Sequence, residues 1–202
     1  MKKLMIYLVA IFGLASCVNQ DDITLPSMRI PFFTENFEQL PIGNIQLDGW
    51  SNVSLTGEDN IWAVKSYGGA KYAQISIFGT SQNTMDVWLI TPSVDLTQKQ
   101  NPTLKFAYKA AFYNGQTISV LVSNNYSGEN SMAAIQNAAW HDVGIVLPDF
   151  STNGYPNEFS ISSDIDLSSF GQQIHIAFRY EAMQNGATTT YQLDNINIFE
   201  KK

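Results

Sequence analysis

Asp86-Val87-Trp88-Leu89-Ile90-Thr91-Pro92-Ser93-Val94-Asp95-Leu96 is the stretch from which the fold is read. Side chains in a strand alternate faces, so Val87, Leu89 and Thr91 point one way and Trp88 and Ile90 the other. Both sets are apolar or β-branched, which predicts a strand covered on both faces, as in the middle of a sandwich. Pro92 has no N–H to give to a ladder, so regular pairing should break there before the short alternation Val94–Leu96. The rest of the chain is expected to lie as strands around this one.

Working outward, short apolar or alternating segments recur between turn signals. Before the central stretch they are 29–37, 49–53, 61–66 and 72–78, the last two separated by Tyr67-Gly68-Gly69-Ala70-Lys71. After it, Thr103–Ala111 alternates Leu104, Phe106 and Tyr108 against Lys105, Ala107 and Lys109. Thr117–Ser123 follows the Asn114-Gly115 turn, and Trp140–Leu147 is ended by Pro148. Glu158–Ile165 reads as irregular strand, Ile174–Glu181 alternates strongly, and Tyr191–Phe199 closes the chain. Met132–Ile135 is at most one helical turn; no segment sustains a 3.6-residue period. About ten short strands predict an all-β fold, an antiparallel sandwich, in one domain without internal repeats.

Composition agrees. Aromatic residues make up 12% and charged residues only 14%, a balance that favours strands. Eighteen Asp and Glu stand against eleven Lys and Arg, with no basic run to neutralise phosphates, so nucleic acid is not expected as a partner. An acidic, sparsely charged exterior suits neutral partners such as glycans, or divalent cations.

The front of the chain reads as an address. Met1-Lys2-Lys3 precedes an apolar run from Leu4 to Leu14, then Ala15-Ser16-Cys17. This is the layout of a secretory signal, and the run falls short of the about 20 residues that span a bilayer. Cys17 is the only cysteine and stands where a lipobox places it, so residues 1–16 are expected to be a lipoprotein signal peptide. Cleavage would leave Cys17 lipidated at the head of a tether, residues 17–29, before a domain at 30–202. The alternative is an ordinary signal peptide with an incidental cysteine. Asp21-Asp22 after the cysteine resembles the export signal of Bacteroidetes surface lipoproteins, or is a solvated linker. The expected location is the outer membrane, facing outward.

Several pieces, in order, resemble one family: Phe37-Glu38, Gly49-Trp50, Trp88-Leu89-Ile90-Thr91-Pro92 with Val94-Asp95-Leu96, and Leu104-Lys105-Phe106. They continue with Ser119–Ser123, Trp140, Ile165-Asp166-Leu167, Ile174–Tyr180 and Tyr191-Gln192-Leu193-Asp194-Asn195-Ile196. The order and spacing, over about residues 32–199, resemble the choice-of-anchor J family, similar to gingipain cleaved-adhesin modules and more distantly to MAM domains. The resemblance implies a jelly-roll β-sandwich on a cell surface, with adhesion or carbohydrate-binding-like recognition rather than catalysis. It also implies a structural Ca²⁺ near the chain ends, held by an acid after the first strand and an acid of the last. Glu38 matches the first and Asp194 the second; Asp86 is a weaker third, and Glu35 and Asn36 are near enough in sequence to compete. Calcium needs six to eight oxygens from carboxylates, carbonyls and water, not a contiguous loop. The alternative is that these are solvated strand-end acids.

No reaction is expected. His141 and Asp142 are neighbours on a strand and so face apart, and His175 alternates with Ile174 and Ile176. No serine lies in Gly-x-Ser-x-Gly, and no phosphate loop, zinc spacing or EF-hand is present. Three readings follow: a surface module binding an extracellular glycan or protein, an accessory envelope lipoprotein presenting a protein-binding surface, and a glycan hydrolase. The last stands because the separation of paired carboxylates is a property of the fold. Trp50, Trp62, Trp88 and Trp140 offer either a sugar platform or core, with core expected for Trp88. Tyr67, Tyr72, Tyr113, Tyr126 and Tyr155 sit at turns or loop edges and are expected to be exposed.

Overall fold

Strands Pro31–Glu35 (β1), Gly43–Asn44 (β2), Ser51–Ser54 (β3), Ala63–Tyr67 (β4) and Ala70–Ile75 (β5) precede Thr84–Ile90 (β6). Val94–Asp95 (β7), Pro102–Ala111 (β8), Ile118–Ser123 (β9), the helical segment Met132–Asn137 (α1) and His141–Asp142 (β10) come next. Ser160–Ile161 (β11), Ile165–Asp166 (β12), Gln173–Met183 (β13) and Thr190–Glu200 (β14) complete the fold. The computed structural model describes residues 30–56 and 59–200, so the expected signal peptide, Cys17 and the tether lie outside the described residues.

The strands form two antiparallel sheets. One runs β11-β8-β14-β5-β4-β2, with β1 beside β14 and β12 beside β8; the other runs β10-β9-β13-β6-β3, with β7 beside β13. The expected all-β, antiparallel jelly-roll sandwich is the architecture found. Alternation sends Leu104, Phe106 and Tyr108 of β8, and Tyr191, Leu193, Ile196 and Ile198 of β14, into the space between the sheets. Val120 and Val122 of β9 and Ile176, Phe178 and Tyr180 of β13 meet them from the other side. Phe106 and Phe178 close that core edge-to-face, their ring centroids 5.2 Å apart at 87°.

The central stretch behaves as its pattern predicts on one point and differs on another. Val87 and Leu89 enter the main core, while Trp88 and Ile90 enter a second, smaller one. That second core lies on the outer face of the six-stranded sheet, beneath Tyr126, Ile135 and Trp140. The α1 turn carries Ile135 there. Ser131 caps it, its Oγ accepting the Ala134 N–H at 3.2 Å, and Met-Ala-Ala are good helix formers. Regular pairing stops at Ile90, before Pro92, as expected. Three strands share the centre, however: β8, β13 and β14 each pair with three others, β14 being flanked by β8 on one side and by β5 and β1 in tandem on the other. The expected strand 140–147 shrinks to His141–Asp142. Asp142 Oδ1 accepts the Gly144 N–H at 2.8 Å and Gly144 turns into left-handed backbone at φ 67°, which ends the ladder.

One irregularity places the acids. β14 pairs with β5 through Tyr191–Leu193 and with β1 through Ile196–Phe199. Between them the register with β8 shifts across Asp194–Asn197, and Asn195 is left-handed at φ 47°. A bulge of this kind re-aims side chains and ends pairing.

Candidate functional site: an acid junction and an aromatic sheet face

Where β14 changes partner, the last residue of β1 lies opposite Ile196, in the register Glu35↔Ile196. The chain then turns through Phe37, which is fully buried yet left-handed at φ 57°, its N–H donated to Glu35 Oε1 at 2.6 Å. Such backbone in a bulky residue holds only where packing enforces it; here Trp50 lies against the Phe37 ring, centroids 6.2 Å apart. The turn delivers Glu38, whose Oε1 accepts the Lys71 N–H at 3.0 Å. Asp194 sits beside the bulge, its two oxygens accepting the Asn195 N–H at 2.7 Å and Asn195 Nδ2 at 3.1 Å. Burial pushes the Asp194 carboxyl up to about 6; the Asn195 N–H works against this, and the charges of Glu38 and Glu35 add to it. Glu38 and Asp194 are 156 positions apart in the chain, yet the charges of Glu38 and Glu35 reach the Asp194 carboxyl.

Oxygen donors suit calcium, and like carboxylates held together are relieved by a divalent cation. The nearby Lys71 does not fill that role, since its Nζ is taken by the carbonyls of Glu38 at 2.9 Å and Leu40 at 2.7 Å. As they stand, no three Asp, Glu, His or Cys side chains among the described residues are grouped closely enough to hold an ion.

Asp86 is corrected. Its carboxylate is bound bidentately by Arg179, Nε to Oδ1 at 2.9 Å and Nη2 to Oδ2 at 2.8 Å, and Oδ1 also accepts Trp88 Nε1 at 2.8 Å. It lies on β6 in the other sheet and serves an ion-pair network with Glu181, whose Oε1 is 2.7 Å from Arg179 Nη2. Sequence order alone made it a third ligand; the fold gives it a structural partner on β13.

A second feature occupies the outer face of the eight-stranded sheet. Because Val64, Ala73, Leu193 and Tyr108 face the core, the alternate residues Ala63, Lys65 and Tyr67, Tyr72 and Gln74, Gln192, and Ala107 and Lys109 face outward. Cross-strand registers Lys65↔Tyr72, Gln74↔Gln192 and Gln192↔Lys109 set them in rows. Gln192 Nε2 donates to Gln74 Oε1 at 2.9 Å. Phe159, just before β11, packs on Tyr72 with centroids 5.8 Å apart, and Lys109 Nζ stands 4.8 Å from the centre of the Phe159 ring. The Tyr72 hydroxyl titrates above its usual range, first through burial and then through the neighbouring Tyr155 phenol; its hydrogen bond with Gln192 opposes this and Tyr67 adds slightly. The row continues to Tyr155, 46% exposed, whose ring meets that of Phe112 edge-on at 5.5 Å.

The tyrosines at 67 and 155 are exposed as expected, while Tyr72 and Tyr126 are buried. The four tryptophans make no platform: Trp62 and Trp88 are core, Trp50 packs against Phe33 and Phe37, and Trp140 covers Trp88. Phe159, Gln74, Gln192 and Lys109 carry no local signal; only the pairing of β4, β5, β14 and β8 puts them together.

Residues 93–202, more than half of the chain, match the family model described as Domain of unknown function (DUF5017). The chain belongs to the DUF5017 family. The matched span of this DUF5017 protein contains Lys109, Phe159, Gln192 and Asp194. No curated protein matches the sequence. Among solved structures, the fold is similar to the K2 cleaved adhesin domain of Lys-gingipain, with a TM-score of 0.60 and 18% identity over 84% of this chain and 99% of that one. It is also similar to the K1 and K3 domains from Porphyromonas gingivalis W83, each with a TM-score of 0.53 and 19% identity over 84% of this chain and 98% of theirs. At these identities the likeness is one of fold. It agrees with the cleaved-adhesin resemblance read from the ordered pieces of sequence.

Proposed function

We propose that this protein is a non-catalytic binding module, displayed at the outer membrane by lipid on Cys17, and that its outer sheet face holds an extracellular glycan. The observation that carries the reading is the set of exposed and half-exposed rings, Tyr67, Phe159 and Tyr155, on the face that carries the half-buried Gln74 amide, held from below by buried Gln192. Flat apolar rings suit the faces of pyranose rings, and amides supply donors and acceptors to sugar hydroxyls. The support for a non-catalytic role is likewise local. His175 Nδ1 is 2.9 Å from the Thr91 carbonyl oxygen, and Asp86 is committed to Arg179. A glycan array probed with the purified protein should give binders. Phe159→Ala and Tyr155→Ala should each weaken them about tenfold while the protein melts within a few degrees of wild type. Binding that ignores both substitutions would remove this face from consideration.

A structural Ca²⁺ on Glu38 and Asp194 belongs to the same reading, as a tie between the first and last strands. The anchor has its own test: labelled fatty acid should enter the wild-type protein in cells and not Cys17→Ser, and equal labelling of both ends the claim. A protein partner is the second reading, favoured by the apolar end of the sandwich. There Tyr113 and Phe150 stack with centroids 4.0 Å apart, beside Phe112, half-exposed and held left-handed at φ 51°.

A further inference from the structure

We infer that the glycan of this sheet face is an anionic, uronate-bearing polysaccharide laid across the strands; the inference rests on the glycan reading above. The protein is acidic, with a formal net charge of −7, yet its outer sheet face gathers Lys65, Lys105 and Lys109. Lys105 is already matched, its Nζ 2.8 Å from Asp164 Oδ1. Among the described residues neither Lys65 nor Lys109 is matched to a carboxylate. Lys65 is exposed on β4 opposite Tyr72 and forms no ion pair among the described residues. Lys109 is half-buried on β8 opposite Gln192, its Nζ donating to the Asn157 carbonyl at 2.9 Å beside the Phe159 ring.

The two ammonium groups therefore flank the half-exposed Phe159 ring, which packs on the buried Tyr72 and lies beside Lys109 Nζ. β4 and β8 are separated by β5 and β14, three strand gaps, which at about 4.8 Å each is roughly 14 Å. Tyr67, 83% exposed, flanks Lys65 on the same strand face, and Tyr155 is 46% exposed. A span of that length accommodates several consecutive sugar rings rather than one terminal residue. Two point charges so far apart match carboxylates recurring along a chain; the dense charge of a sulfated chain calls instead for a cluster of cations. Rings between the charges need unsubstituted pyranose faces, which a uronate keeps.

Oligogalacturonates of four to six units and their methyl esters separate charge from backbone, because the ester keeps the chain and removes the anion. Titration should be calorimetric, at low ionic strength and with chelator present, so that calcium bridging plays no part. The acid form should bind roughly tenfold more tightly than the ester, and the advantage should fade as salt is raised. Lys65→Gln and Lys109→Gln should each cut affinity for the acid form roughly three- to tenfold, and in both variants the acid form should lose more than the ester. Glu158→Gln, which removes the exposed acid next to Phe159, should tighten it. A heparin oligosaccharide binding more tightly than the uronate would overturn the assignment to carboxylates. Equal binding of acid and ester, with both lost in Phe159→Ala, would overturn this inference and leave the glycan reading standing. Binding of neither form, with no binder on the array, would overturn both.

Discussion

Calcium at about 10 mM should raise the melting temperature of the chelated protein by roughly 5 to 10 °C at pH 7. A ligand that binds only the folded state stabilises it by about 2.7 kcal/mol at a hundred times Kd, and sites in extracellular modules have Kd near 10⁻⁴ M. For a domain of this length each kcal/mol moves the midpoint by about 2 to 4 °C. The pH dependence without metal has a definite sign. Asp194 has its folded pKa raised to about 6, against an ordinary value of 3.8. The folded state therefore takes up a proton before the unfolded state does, and chelated protein should become more stable as pH falls from 7 towards 4. The gain should be about 1 to 2 kcal/mol, discounted because the group is only half withdrawn from water. Asp194→Asn should mimic that proton. It should melt above wild type in chelator, lose the calcium response, and lose the low-pH gain. Superimposable melting curves with calcium and with chelator would leave Glu38 and Asp194 as ordinary strand-end acids.

Arg179→Ala should be the most damaging single change outside the main core, at about 2 to 4 kcal/mol by denaturant titration. Asp86 and Glu181 are direct cross-strand partners on β6 and β13, and Arg179 binds both. Like charges directly opposite each other are destabilising, and the arginine is what reconciles them. The Arg179 and Asp86 side chains are 26% and 22% exposed, so the loss falls below the 3 to 5 kcal/mol of a fully buried pair and above that of a surface pair. The guanidinium also lies 5.0 Å from the centre of the Trp88 ring, where its departure uncovers the second core. Burial already pushes the Glu181 carboxyl up, Arg179 holds it down, and Asp86 and Asp142 push it further. Without Arg179 it should rise again, so the deficit of the variant should narrow at acid pH. Arg179→Met, which keeps the stem over Trp88, should recover part of the loss. A cost under about 0.5 kcal/mol would mean that water does this work instead.

What the sequence carries and what it withholds divide along a physical line. Period-two alternation is local, so β6, β8, β9, β13 and β14 are legible, as is the both-faces burial of Val87–Ile90. Pairing order is not local. Nothing near Asp86 announces Arg179, 93 positions away, and nothing near Gln192 announces Gln74, 118 positions away. For that reason Asp86 read as a weaker third metal ligand, and the sheet-face amides went unread. Glu38 and Asp194 were paired because the family pattern supplies the order that local chemistry lacks. The tryptophans resolve towards core, as large rings commonly do, and the rings left exposed or half-exposed on the sheet face are Tyr67, Tyr155 and Phe159.

The place of β14 has a consequence for how the chain becomes a folded object. It is the last strand, yet β8, β5 and β1 all complete their ladders on it, and the register Pro31↔Phe199 joins the two ends of the described chain. Neither β1 nor β5 has its β14 neighbour until residues 190–200 are available, so the eight-stranded sheet cannot close on a growing chain. Topologies dominated by such distant pairings fold in milliseconds to seconds rather than microseconds. A chain of this design stays open while it is made, and snaps shut only when the eleven-residue strand β14 is free to dock.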